Sequence, residues 1–386
     1  MTTLAAPAVA TPSALVVLPA PPGRGAAPPE TMVMGLPLLR RIVLAAERAG
    51  FDRVLVHPRA CPEPRLLQGT RAVLLRPEAL DEVPGRLVLL PAHVLPQARW
   101  LRSLREMPLD PGTPAIDPAV AVTVEGAETG RMLRSASDGL PDLIADLSRH
   151  RPHVVPVGDP AGRFTLVGAD GPKAAEEWLL QSLIKDTEGF MSRHVERRIS
   201  LAITRRLVGT SITPNAMTLV SLAMGLIGAP FFLSSDPLLQ VAGSLLFLTH
   251  SILDGCDGEL ARLKFLESPT GARLDFWGDN LVHVAVWISM AIGFSLEVDS
   301  PWPLLPGALA VAGTAISAVL VSRRSSTAPT DATARLADAV ANRDFIYLVL
   351  LLACFGKAHW FLILVALGTP IFMLLVRWGA RRRQAA

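Results

Sequence analysis

Asp254-Gly255-Cys256-Asp257-Gly258-Glu259-Leu260-Ala261-Arg262 is followed by eight residues, then by Gly271, Asp275 and Asp279 at four-residue intervals. Asp254 and Asp257 are three apart, and Gly258, Ala261 and Arg262 continue the same stripe. On helices, each set places its side chains on one face. Two such faces turned toward each other gather four carboxylates in one pocket. The flanks on both sides are strongly apolar, and a carboxylate inside a bilayer costs about 2.5–3.5 kcal/mol by insertion scales. Such groups need cations. Hard divalent ions take oxygen ligands and commonly work with phosphates, and four carboxylates suffice for two ions clamping a phosphoryl group. The alternative is a soluble loop in which these residues are helix caps and surface charges; the regular spacing and the apolar flanks argue against it.

Working outward, the apolar runs concentrate after about Asn215. Half of the 386 residues are hydrophobic, and the mean hydropathy is +0.39. Six segments approach the roughly 20 residues needed to span a bilayer: Ala216–Leu233, Leu238–Leu260, Leu274–Leu296, Leu304–Val321, Phe345–Phe355 and Trp360–Val376. Arg262, Lys264, Arg323, Arg324 and Arg381 to Arg383 fall on one side of these spans; Asp236, Glu297, Asp299 and Lys357 fall on the other. The positive-inside rule then predicts a multi-pass inner-membrane protein with both termini cytoplasmic. It also puts the carboxylates in the membrane at its cytoplasmic side, open to water-soluble ligands and laterally to lipid chains. The three cysteines, Cys61, Cys256 and Cys354, form neither a zinc pattern nor a disulfide framework. The first residues are Ala/Pro-rich and lack the basic region of a signal peptide. No nucleic-acid partner is expected.

The first half reads as soluble. Strand-like runs at Ala14–Leu18, Arg53–His57, Ala72–Leu75, Arg86–Leu90, Val120–Val124 and His153–Val157 alternate with helical stretches at Leu36–Arg48, Ala98–Arg105 and Leu140–Ser148. That alternation predicts an α/β domain with a mostly parallel sheet over residues 1–172. Residues 173–212 interleave basic and apolar residues at helical spacing, as an interfacial junction helix on an anionic leaflet does, or an ordinary amphipathic linker. Residues 213–386 form the all-α membrane domain, opened by Thr213-Pro214-Asn215, where proline suits the first helical turn.

The pattern Asp254-x2-Asp257-Gly258-x2-Ala261-Arg262-x8-Gly271-x3-Asp275-x3-Asp279 resembles the signature of the CDP-alcohol phosphotransferases. The resemblance implies a membrane enzyme that moves a substituted phosphate from a CDP-linked donor to an alcohol and releases CMP. It implies two Mg²⁺ or Mn²⁺ ions per site, held by Asp254, Asp257, Asp275 and Asp279. Asp279 is implied also as the base that takes the acceptor hydroxyl's proton. Gly255, Gly258, Gly271 and Ala261 leave room for the cytidine, and Asn215 and Thr218 match a family position near the nucleotide. Arg262 offers a fork of donors to a diphosphate, or is simply a cytoplasmic flanking arginine. His283, one turn past Asp279, either serves the acceptor site or packs between helices. Members of the family are usually homodimers, and membrane lipids are expected partners.

Two further resemblances bear on the acceptor. Lys185-x3-Gly189-Phe190, Arg193-x3-Arg197-Arg198-x-Ser200 and Thr213-Pro214-Asn215-x2-Thr218 are similar to members that handle inositol phosphate. Lys185, Arg193, Arg197 and Arg198 thereby become candidates for binding a polyol-phosphate acceptor. Arg343, in Asn342-Arg343-Asp344, is another, or only flanks a helix cap. The stretch from Gly35-Leu36-Pro37-Leu38-Leu39 to Ala49-Gly50 resembles a nucleotidyltransferase domain. Its catalytic parts are missing: Pro19 to Gly25 is proline-rich where backbone N–H groups should cradle phosphates. No lysine precedes Lys173, and the aspartate expected near Leu89-Leu90-Pro91-Ala92-His93 is absent. An inactive domain is therefore expected. Three choices stay open: CDP-diacylglycerol or a CDP-polyol as donor, a bifunctional enzyme that also makes its donor, and a non-catalytic cation pathway or scaffold.

Overall fold

The runs Ser13–Leu18 and Arg86–Pro91 are apolar at every position after the first instead of alternating, as strands covered on both faces require. In a computed structural model both are wholly buried. It describes residues 12–20, 25–76, 85–109, 115–117, 120–124, 160–184, 189–322 and 344–368. The chain divides into two units, Met1–Gln181 and Ser182–Ala386.

The strands of the first unit are β1 (Ser13–Leu18), β2 (Met32–Val33), β3 (Leu36–Pro37), β4 (Arg53–Val56), β5 (Val73–Leu74), β6 (Arg86–Pro91), β7 (Val94–Pro96), β8 (Ala115–Asp117), β9 (Val120–Val124) and β10 (Arg163–Thr165). The main sheet runs β5-β4-β1-β6-β9-β8. Its first four strands are parallel, while β9 pairs antiparallel with both β6 and β8. Helices α1 (Leu38–Ala49), α2 (Ala98–Glu106) and α3 (Gly171–Gln181) accompany it. The helix expected from Leu36 starts two residues later, because Leu36–Pro37 pairs with Met32–Val33 as a hairpin. The helix expected at 140–148 and the strand at 153–157 lie outside the described residues.

A buried arginine organises that hairpin. Arg41 is 2% exposed. Its Nε and Nη2 donate to the carbonyls of Val33 and Met34, both at 2.6 Å. Burial pushes the guanidinium down to about 10, against the opposing pull of the Glu176 carboxylate. Glu176 in turn accepts from Met34 N at 3.1 Å, tying α3 to the hairpin.

Residues 173–212, read as one junction helix, are divided, and the boundary between the two units falls within them. The helix α3 ends at Gln181. A new helix, α4 (Arg197–Leu207), begins after a π-helical turn over Ser192–Glu196. Then follow α5 (Pro214–Gly228, continued as a 3₁₀ turn to Leu233), α6 (Pro237–Lys264), α7 (Pro269–Glu297), α8 (Leu304–Ser322), α9 (Phe345–Ala353) and α10 (Ala358–Gly368). Helices α5, α6 and α7 start on one device: a capping side chain followed by proline at the first turn. Thr213 Oγ1 accepts from Ala216 N at 3.2 Å, Asp236 Oδ1 from Leu238 N at 2.7 Å and Ser268 Oγ from Gly271 N at 3.0 Å.

Among the described residues, four helices, Pro214–Leu233, Pro237–Lys264, Pro269–Glu297 and Leu304–Ser322, are long and apolar enough to cross a membrane. Within the described residues the fifth and sixth expected segments are shorter, at Phe345–Ala353 and Ala358–Gly368, so six spans are not established. The core of this unit is built from Phe232, Phe247, Val286, Trp287, Met290, Val349 and Leu362, with large apolar side chains such as Leu219, Ile227, Ile288 and Ile316 exposed around it. Close helix approach uses small residues, as membrane bundles do: a Cβ on Gly228 would lie 2.8 Å from Leu246 Cβ. At the far end from the motif, Glu297 meets Lys357 at 3.2 Å and the buried His359 at 3.0 Å.

Candidate active site

The stripe His250–Asp254–Asp257–Ala261 recurs at four, three and four residues, so it occupies one face of α6. The short turn at 265–268 brings α7 back with Asp275 near that face. Side-chain oxygens of Asp254, Asp257 and Asp275 lie within 4.8 Å of one another. Asp254 and Asp257 are 6% and 5% exposed. Carboxylates this close and this dry repel one another unless a cation or proton intervenes. An oxygen-only donor set is what a hard divalent ion takes, so these residues fit Mg²⁺ or Mn²⁺. The Thr218 hydroxyl, from α5, donates to Asp257 Oδ2 and orients that carboxylate from behind.

Asp279 is not in this set. It sits one turn beyond Asp275, where His250 Nε2 lies 3.3 Å from its Oδ1 and His283 Nδ1 lies 3.9 Å from its Oδ2. His283 itself packs among the rings of Phe247, Trp287 and Phe345.

Against the carboxylates lies a cavity of about 240 Å³ lined by Asn215, Thr218, Gly258, Ala261, Arg262, Gly271, Asp257 and Asp275, with the 266–268 turn at its rim. It brings together six of the seven residues expected around a nucleotide. Their smallness matters: a Cβ on Gly271 would come within 2.9 Å of Asn215 Oδ1. Arg262 folds back over Gly258, its Nη1 3.3 Å from where a Cβ would stand. Gly255, the seventh, faces elsewhere: a Cβ there would meet Arg197 Nη1 at 3.2 Å and Ser200 Cβ at 3.7 Å. Its role visible here is to let α4 lie close against α6.

The acceptor candidates fare differently from one another. Lys185 and Arg343 lie outside the described residues. Arg193 is exposed on the π turn. Arg197 is committed to a network that sequence reading missed. Glu259 is fully buried. Its Oε1 accepts from Arg197 Nη1 at 2.8 Å and from Ser200 Oγ at 2.7 Å, and its Oε2 accepts from Thr204 Oγ1 at 2.7 Å. Two turns back along α6, Ser251 Oγ donates to the buried Glu196, one turn before Ser200, at 3.3 Å. Residues 196, 200 and 204 of one helix therefore meet 251, 255 and 259 of the other in the same direction. Asp344 secures the start of the π turn, accepting from Ser192 N at 3.1 Å. The available signal was the match of two four-residue polar rows, Glu196/Ser200/Thr204 and Ser251/Gly255/Glu259, in otherwise apolar helices.

Residues 211–378 match the family described as CDP-alcohol phosphatidyltransferase. A "Bifunctional IPC transferase and DIPP synthase" of Thermococcus kodakarensis is 41% identical over 111 residues, which is 28% of this chain and 24% of that one. A "CDP-diacylglycerol--serine O-phosphatidyltransferase" of Mycobacterium bovis is 34% identical over 100 residues, 26% of this chain and 33% of that one. The chain thus spans 24% and 33% of the length of these relatives. A crystal structure of Mycobacterium tuberculosis phosphatidylinositol phosphate synthase with CDP-DAG bound aligns with 46% of this chain and 94% of that one, at 18% identity and a TM-score of 0.34.

Proposed function

We propose that the chain, whose residues 211–378 match the CDP-alcohol phosphatidyltransferase family, is a membrane enzyme transferring a substituted phosphate from a CDP-linked donor to a polyol-phosphate acceptor, with release of CMP. The observation that carries this is the abutment of three clustered carboxylates on a cavity lined by small residues and one arginine. Asp254, Asp257 and Asp275, with Asp279 one turn further along α7, would hold two Mg²⁺ or Mn²⁺ ions, which when bound would neutralise a diphosphate and its leaving phosphate. Arg262 adds a positive fork toward the diphosphate, and Gly258, Ala261 and Gly271 admit the cytidine. The acceptor's hydroxyl oxygen bonds to the phosphorus that carries the donor's alcohol. The bond from that phosphorus to the oxygen bridging to CMP breaks, and CMP leaves with its electron pair. The hydroxyl proton goes to Asp279.

An inositol phosphate or related polyol phosphate is the acceptor this reading favours, supported by the 185–218 pattern and by the names of relatives such as the Thermococcus kodakarensis enzyme. The choice between CDP-diacylglycerol and a CDP-polyol as donor is left to experiment. The first unit is proposed as a nucleotidyltransferase-like domain without catalysis: the buried His93 follows β6 where an aspartate was expected, and no lysine precedes Lys173. The proposal includes a homodimer with both termini cytoplasmic. A bare cation pathway is disfavoured, since it needs no cavity of nucleotide scale beside the carboxylates.

The test is CMP release by the purified full chain with Mg²⁺ or Mn²⁺, offered CDP-diacylglycerol or CDP-polyols and a panel of polyols and polyol phosphates. Wild type is expected to release CMP with at least one pair, and Asp279→Ala to lose that activity. Absence of CMP from every CDP-linked donor, or an Asp279→Ala variant as active as wild type, refutes the reading.

A further inference from the structure

The wall of the cavity that carries Asn215 has no apolar anchor of its own. From Gly209 to Ala216 every residue is exposed or half-buried, and burial resumes only at Met217 and Thr218. Apolar packing therefore fixes α5 from Met217 onward and leaves the turn from α4 into α5 to polar contacts. Within that turn, Thr210 Oγ1 donates to the Leu207 carbonyl at 2.7 Å and accepts from Ile212 N at 3.3 Å. From outside it, Lys264 Nζ donates to the carbonyls of Thr210 and Ile212, at 2.7 and 2.8 Å, across 54 and 52 positions of sequence. An ammonium carries three N–H donors and no acceptor, and its hydrogen bonds are stronger than those of a neutral donor.

Lys264 is the last residue of α6, and its main chain is itself held. Phe265, next in the chain, takes a left-handed φ of 57°, and Leu266 N donates back to the Ala261 carbonyl at 2.9 Å. Ala261, Arg262 and Leu266 line the cavity, as do Pro214, Asn215 and Thr218 on the facing wall. The Lys264 side chain joins the end of the first wall to the entry of the second. We propose that Lys264 is a positioning residue for the CDP-linked donor: it holds the 210–212 turn, and so keeps Asn215 opposite Gly271, where a Cβ on Gly271 would come within 2.9 Å of Asn215 Oδ1. This rests on the reading of the cavity as the donor's site. An apolar side chain cannot do the same, because the turn presents carbonyl oxygens and a methyl group gives them no donor. A guanidinium can: Arg41 holds the adjacent carbonyls of Val33 and Met34 in this way in the first unit.

Two substitutions discriminate. Lys264→Met keeps an unbranched stem and removes the donors; Lys264→Arg keeps the charge and offers a fork of N–H groups. Amide exchange is followed in the full chain in detergent with no donor present. Mn²⁺ alone is titrated by electron paramagnetic resonance, and CMP release is measured against donor concentration. Lys264→Met is expected to speed exchange across 209–216 about tenfold or more, while 217–228 keeps wild-type protection. Donor KM should rise about tenfold, with kcat within about twofold of wild type. Mn²⁺ affinity should also stay within about twofold, because Asp254, Asp257 and Asp275 stand on α6 and α7 and not on the turn. Lys264→Arg should restore protection and bring KM to within about threefold of wild type. A charge acting at a distance on the anionic donor would raise KM without touching exchange in the donor's absence. General damage to the bundle would lower kcat and Mn²⁺ affinity and expose 217–228. The inference is overturned if Lys264→Met leaves exchange across 209–216 unchanged, if KM stays at the wild-type value while exchange rises, if kcat or Mn²⁺ affinity falls as KM rises, or if Lys264→Arg behaves as Lys264→Met does. Should wild type release no CMP from any donor, the functional reading fails, while exchange across 209–216 still decides whether Lys264 holds the turn.

Discussion

Glu259→Ala is expected to weaken the membrane unit severely, although Glu259 lines no part of the cavity. The carboxylate is 0% exposed and its Arg197 partner's side chain only 16% exposed. The substitution leaves a largely desolvated guanidinium without its carboxylate, and Ser200 and Thr204, 1% and 0% exposed, without their acceptor. Removing one partner of a buried ion pair costs about 3–5 kcal/mol. The two hydroxyl hydrogen bonds fall within that figure and are not added to it. At about 2–4 °C per kcal/mol for a unit of roughly 200 residues, the melting temperature should drop by about 6–20 °C. Thermal unfolding of the purified full chain in detergent, followed by tryptophan fluorescence, measures this; hydrogen exchange across 197–207 should show α4 opening first. Adding Arg197→Met removes the stranded cation. An apolar replacement of a buried pair is often neutral or better, so the double variant should melt above Glu259→Ala alone. A single variant melting within about 2 °C of wild type, or a double variant melting below the single, refutes the reasoning.

Two other substitutions probe separate parts of the chain. Gly271→Ala puts a methyl 2.9 Å from Asn215 Oδ1 and 3.0 Å from Ser268 Oγ; donor KM should rise about tenfold while the melting temperature stays near that of wild type, and an unchanged KM would show that the cavity does not hold the donor. Arg41→Met leaves the Val33 and Met34 carbonyls without their donor, at about 1–3 kcal/mol for each buried group; faster amide exchange across 38–49 in the full chain is the expected sign, and unchanged protection would mean that the guanidinium is dispensable there.

Much of the fold was legible because the governing signals are local. Consecutive apolar residues in Ser13–Leu18 and Arg86–Pro91 require strands buried on both faces, and both are found at the centre of the sheet. Long apolar runs bounded by Thr213-Pro214, Asp236-Pro237 and Ser268-Pro269 become helices whose first turns those residues cap. What failed to show was pairing between distant segments. Leu36 looks helical on its own, and only its pairing with Val33 makes it a strand. The stretch 173–212 has continuous amphipathic character, yet it breaks after Gln181.

For the site, the sequence by itself determined which residue types share a face, since helical periodicity is a property of spacing alone. That was enough to put Asp254, Asp257, Gly258 and Ala261 on one stripe and Gly271, Asp275 and Asp279 on another. Which residues of the two stripes actually meet was decided by the tertiary structure, because it depends on the relative height of two helices and on what third parties intervene. Side-chain oxygens of Asp254, Asp257 and Asp275 converge, and Asp279 meets His250, which is held by a carbonyl on a third helix. In the same way Arg197, a phosphate-binding candidate when read along the chain, is taken up by Glu259 62 positions away. A guanidinium is suited to phosphate and carboxylate alike, and only the packing of α4 against α6 settles which of them it meets.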